Sequence, residues 1–282
     1  MKTIVIACPK GGTGKSTTSL HLAYGLHHAV DIPHGMLDAQ APSAPLNADH
    51  APVTALLDTD PQMSAAVWSD ACADGLLGFP VLASPRPNVD KVVAAMNAPT
   101  DHLVIDTAGM AAEKNPAMTS AVLLADLVII PVQASALDTW ALEQFAAMIR
   151  HRQTLSGGAL QAALLITQAA PRSQLVAAAR QELAEVVGLP ILDTVIGRRK
   201  AYAEAAARGR TVFQLRDTAA QDEIASLTRE VRALLHPVAA QPQRPVDTGT
   251  IVERAGPLGA SDADHLAIQR FLPPGVNALR AA

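Results

Sequence analysis

Little in this 282-residue chain is aromatic, sulfur-bearing or strongly charged. Phenylalanine, tryptophan and tyrosine make up 3% of it, so the core has to be aliphatic, and hydrophobic residues at 49% are enough to fill one. There are two cysteines, Cys8 and Cys72. That excludes a disulfide framework or a paired-cysteine metal motif and points to reduced thiols in a cytosolic protein. A net charge of −4 excludes a polycation, so any contact with nucleic acid must come from a local patch. No run approaches the ~20 apolar residues of a membrane span. Met1-Lys2 and the apolar run ending at Cys8 have the outline of a lipoprotein leader. The run falls short of the ~7–15 residues of such a segment and reads as a first buried strand.

What the chain does have is rhythm. Strand-like runs occupy residues 3–7, 53–57, 81–83, 103–105, 127–132, 163–167 and, more weakly, 191–195. Ala/Leu-rich helical patterns lie between them. Continuous runs such as Leu127-Val128-Ile129-Ile130 suit strands buried on both sides. The alternation predicts an α/β fold, a mostly parallel twisted sheet with helices on both faces. Residues 31–52 break the rhythm with four prolines, three aspartates and two histidines, His34 and His50. They read as an insertion loop inside a domain spanning residues 1–236. Residues 237–282 mix Pro, Gly, Asp and Arg without period and read as a flexible tail, with one short helical stretch at 264–271.

The densest signal is Lys10-Gly11-Gly12-Thr13-Gly14-Lys15-Ser16-Thr17, placed after a β-branched strand and before an apolar-periodic segment. Glycines let the backbone curl and aim its N–H groups at a phosphate. Lys15 can reach β- and γ-phosphates, Ser16 can meet Mg²⁺, and the helix that begins here turns its positive end to the same anion. The usual first glycine of such a loop is replaced by Pro9, and Lys10 is added. Two further stretches complete a hydrolytic set. Asp58 and Asp60 follow a buried strand, and Asp106 ends the run Leu103-Val104-Ile105. Buried carboxylates at strand ends are costly unless they serve metal or solvent, and strand ends are where ligands bind in an open α/β sheet.

Residues 10–17, Asp58-Thr59-Asp60-Pro61-Gln62-Met63-Ser64, Ile105-Asp106-Thr107-Ala108-Gly109 and Asp126-Leu127-Val128-Ile129-Ile130-Pro131-Val132 resemble the ParA/MinD family of deviant Walker P-loop ATPases. The likeness continues through residues 194–213 and 223–234 and is strongest to short plasmid-partition members of the ParF kind. It implies ATP and Mg²⁺ as cofactors, with Gly11, Gly12, Thr13, Gly14, Lys15, Ser16 and Thr17 around the phosphates. Lys15 would bind β/γ-phosphate and Thr17 the α-phosphate, Ser16 and Asp106 would hold Mg²⁺, and Asp58 would support metal and loop. Asp60 would orient the attacking water. Lys10 would reach the partner subunit's nucleotide in an ATP-sandwich homodimer, and Gln168 would lie near adenine.

Residues 197–216 hold Arg198, Arg199, Lys200, Arg208, Arg210 and Arg216 against one acid, Glu204. Such a patch can grip DNA backbone without reading bases, as the resemblance also implies. The expected function is a DNA-partition or cargo-positioning ATPase, cytoplasmic and nucleoid-associated, reset by a ParB-like or small centromere-binding adaptor. Three alternatives stand beside it. One is a MinD-like membrane-positioned ATPase, which would need a basic amphipathic helix from the tail. Another is a metabolic relative such as an iron–sulfur reductase or small-molecule kinase, and the last is a nucleotide-gated scaffold.

Overall fold

The structure, a computed structural model, describes residues 1–29, 52–72, 76–96, 99–109, 115–135, 139–170 and 174–236. Residues 31–51 of the expected insertion and the whole expected tail fall outside these. Among the described residues, seven strands form one sheet: β1 (Lys2–Ile6), β2 (Thr54–Asp58), β3 (Val81–Ala83), β4 (His102–Asp106), β5 (Leu127–Gln133), β6 (Gln161–Ala169) and β7 (Ile191–Gly197). Their order is β3-β2-β4-β1-β5-β6-β7 and every pairing is parallel. All seven expected runs are strands: β1 and β2 are each displaced by one residue, β3 coincides, and β4 to β7 are longer than the apolar stretch by one to four residues.

Eight helices of the described residues cover the sheet: α1 (Lys15–His27), α2 (Ser64–Asp70), α3 (Val89–Ala94), α4 (Pro116–Leu124), α5 (Thr139–Leu155), α6 (Leu175–Val186), α7 (Lys200–Ala207) and α8 (Thr218–Leu235). Alternation along the strands separates two cores. Ile4 and Ile6 of β1 and Leu127 and Ile129 of β5 pack with Leu20 of α1, Trp68 of α2, Tyr202 of α7 and Ile224 of α8. Val5, Val128 and Ile130 face the other way, toward Val89 of α3, Met118 of α4, Phe145 of α5 and Leu183 of α6. The chain reverses its winding across β1, which lies between β4 and β5. Ligands of open α/β sheets bind at the carboxyl ends of strands at such a reversal. Among the described residues no helix is long and apolar enough to cross a membrane.

Candidate active site

The loop leaving β1 closes over that end of the sheet. Gly12 (φ 73°) and Gly14 (φ 87°) both lie in the left-handed region, which explains glycine at each. Gly14 precedes α1, and no side chain caps this helix. Its first N–H groups therefore face the loop without a side-chain acceptor, at the positive end of the helix dipole. Lys15 opens α1, is buried, and donates from Nζ to the Lys10 carbonyl at 2.9 Å. Burial lowers its pKa, while Cys8, Asp106 and Asp60 act in the opposite direction. A loop carbonyl thus holds the ammonium where a phosphate oxygen can replace it.

Three side chains from β5 and β6 brace this loop. Gln133, ending β5, and Gln168, on β6, each donate from Nε2 to the Gly12 carbonyl, at 2.6 and 2.7 Å. Thr167 donates to the Thr13 carbonyl at 2.8 Å. Gln168, which the resemblance sets near adenine, thus contacts the phosphate loop through its side chain. Gly109, just past β4, touches the loop from below. A Cβ there would stand 2.7 Å from both Gly11 Cα and Lys15 Nζ.

The three aspartates divide their work. Asp58 is fully buried and spent on backbone: Oδ1 accepts from the Asp60 N–H at 3.0 Å, and Oδ2 from those of Ala65 and Ala66 at 2.9 and 3.1 Å. Burial raises its pKa and these N–H groups oppose that. Of the two roles expected of Asp58, the loop-supporting one is the one these bonds express. Asp60 is half-buried, and its Oδ1 accepts from the Gln62 N–H at 2.9 Å. Asp106 is fully buried on β4, beside β1. Its Oδ1 accepts from Ser19 Oγ at 3.0 Å, while its Oδ2 is buried with no hydrogen-bond partner. Burial pushes its pKa up to about 7, against the pull of the Ser16 hydroxyl and with the help of the Asp58 charge; Ser19 and Lys15 also lower it.

That orphaned oxygen tests whether Mg²⁺ fits here. Among the described residues no group of three or more His, Cys, Asp or Glu could hold a metal alone. Magnesium in nucleotide sites takes one or two protein oxygens and completes its shell with substrate phosphates and water. A buried carboxylate oxygen in need of a partner, next to the Ser16 hydroxyl, matches that requirement.

The basic residues of 197–216 lie beyond β7. Arg198, Lys200 and Arg210 are exposed and make no ion pair among the described residues. Arg208 pairs with Glu204 at 3.1 Å on the surface. Arg199 differs, because its Nε and Nη2 both reach Glu223 Oε1 at 2.8 Å, and Glu223 Oε2 also takes the Tyr202 hydroxyl at 2.8 Å. Arg199 therefore ties α7 to α8, a partner that the composition of its own segment does not reveal. A separate cavity of about 740 Å³, lined by Pro80, Leu82, Val92 and Met96, lies between β3 and α3 and includes no phosphate-loop residue.

Comparison with known proteins matches residues 4–212 to the CobQ/CobB/MinD/ParA nucleotide binding domain. The maintenance of carboxysome distribution protein A of Halothiobacillus neapolitanus is 30% identical over 233 residues, 81% of this chain and 95% of that protein. Protein ParA of Rhizobium radiobacter is 25% identical over 206 residues, 72% of this chain and 81% of its own length. Among solved structures, an ATP complex of McdA from Cyanothece superposes with a TM-score of 0.58 at 16% identity, covering 85% of this chain and 99% of that one.

Proposed function

The chain belongs to the CobQ/CobB/MinD/ParA nucleotide-binding family, and we propose that within it this protein is a Mg²⁺-dependent ATPase that positions a cargo along DNA. The observation that carries the catalytic half is the unpartnered Asp106 oxygen set beside Ser16 and Lys15 at an uncapped helix N-terminus. The positioning half rests on the similarity to a carboxysome-distribution protein and to ParA. Carriage of a protein assembly is favoured over a plasmid because the first of these relatives is the more similar.

Phosphoryl transfer asks a protein mainly for positioning and charge. The loop N–H groups and Lys15 hold the β- and γ-phosphates, and Thr17 the α-phosphate. Ser16 and Asp106 would hold Mg²⁺, which when bound would neutralise charge on the phosphate oxygens. Asp60 orients the attacking water, and Asp58 fixes the Asp60 backbone and the start of α2. Lys10 completes the site of a partner subunit, so ATP drives formation of a homodimer. Arg198, Lys200, Arg208 and Arg210 then contact DNA backbone, and Arg199 holds their scaffold through Glu223. An adaptor protein stimulates hydrolysis and resets the cycle in the nucleoid-associated cytoplasm. A membrane-bound mode would draw on residues 265–272, outside the described residues.

Turnover and sedimentation of the full chain with Mg²⁺-ATP test this reading. Lys10→Ala is expected to abolish ATP-dependent dimerisation and turnover while nucleotide still binds. Asp60→Ala is expected to lower turnover by about a hundredfold or more with binding retained. Unchanged turnover in both variants overturns the assignment.

A further inference from the structure

The short helix α2 joins the catalytic loop to the basic segment, and each of its ends is fixed. At the front, Asp58 Oδ2 accepts the Ala65 and Ala66 N–H groups, and the Met63 N–H donates to the Asp60 carbonyl at 2.8 Å. Met63 itself sits at φ 50°. The Asp60 loop and the helix therefore form one unit. At the back, the Trp68 indole Nε1 donates to the Arg210 carbonyl at 2.9 Å. Gly209, at φ 57°, lies so close to the end of α2 that a Cβ would overlap the Ala71 carbonyl and stand 2.6 Å from the Cys72 nitrogen. The two exposed arginines Arg208 and Arg210 flank this glycine. A second tie reinforces the first. His21 meets Trp68 edge-on at 5.5 Å and Tyr202 at 5.4 Å. Its Nε2 accepts the Val212 N–H at 3.2 Å, so Nδ1 carries the proton and donates to the Thr17 carbonyl at 2.8 Å.

We propose that α2 transmits the nucleotide state from Asp60 to Arg208–Arg210, with Trp68 as the positioning residue that holds the basic segment to the helix. This rests on the ATP-site and DNA-contact reading above and names its regulation. The differential contact is electrostatic: Asp60 lies close enough to act on Lys15, and ATP and ADP differ by a charged phosphate at that lysine. A packed helix of seven residues, about 10 Å long, passes a displacement on as a body, since close-packed interiors do not deform continuously.

Hydrogen exchange of residues 208–212 in the full chain, with a non-hydrolysable ATP analogue against ADP, reads the coupling without DNA. The wild type is expected to differ between nucleotides by about tenfold or more in protection, and Trp68→Phe to lose most of that difference while nucleotide affinity stays within about twofold. Equal exchange in the two states of the wild type, or an undiminished difference in Trp68→Phe, overturns the proposal. The Trp140→Phe chain leaves α2 intact and makes Trp68 the sole indole, and its emission is expected to shift between analogue and ADP; no shift overturns the coupling. DNA retention is measured alongside. If exchange responds to nucleotide but DNA is never bound, the DNA reading falls and the coupling stands.

Discussion

Gly109 and Asp106 stand three residues apart and set opposite limits on the site. Gly109 has no room for a side chain. In Gly109→Ala the new carbon meets the Gly11 backbone and the Lys15 ammonium at 2.7 Å. The lysine tip can move, but the loop backbone has to yield, and nucleotide affinity is expected to fall by about tenfold or more in a calorimetric titration. Asp106 has an oxygen without a partner and a pKa raised to about 7 by burial. Below that pH the nucleotide-free chain keeps the carboxyl protonated, whereas Mg²⁺ favours the carboxylate. Affinity for Mg²⁺-ATP is therefore expected to rise with pH through neutrality, with uptake of the ligand near pH 6 releasing about one proton. Titrations in two buffers of different ionisation enthalpy measure that proton. The three Asp positions and the phosphate loop were legible in the sequence because each is a local pattern on a strand end. Gln133, Thr167 and the Arg199–Glu223 pair were not, because their partners lie 121, 154 and 24 residues away and nothing near them marks the contact.

At the scale of elements, period and composition were enough to locate all seven strands of the described residues, and apolar runs buried on both sides pointed to the parallel sheet. Strand order was beyond them, since it depends on which helices pack on which face. The link between α1 and the segment after α7 was equally hidden. It is made by His21, which no motif in the sequence marks. Burial pushes the His21 pKa down to about 4 from 6.5. The unfolded chain binds the proton more readily, so the stability from neutral His21 is fully present above pH 6.5 and is lost as pH falls toward 4. His21→Gln removes that dependence. The stability gap between wild type and variant, measured by denaturant unfolding, is expected to be widest above pH 6.5. It narrows by a few kcal/mol near pH 4, at about 1.4 kcal/mol for each tenfold difference in proton affinity between the folded and unfolded chain. A gap independent of pH contradicts the neutral bridging role.

For the whole molecule, the doubly wound sheet gathers the ends of β1, β2, β4, β5 and β6 around one loop and leaves the basic segment beyond β7. The phosphate loop and the basic segment thus lie at different places on one scaffold, with α2 and His21 between them. Such a chain can act as a switch only if the nucleotide at the loop changes what the basic segment does. Equilibrium binding of the full-length protein to non-specific duplex DNA, with a non-hydrolysable ATP analogue and with ADP at one fixed salt concentration, measures this directly. The account predicts tighter binding with the ATP analogue by about tenfold or more, weakening as salt rises. Equal affinity in the two nucleotide states would contradict it.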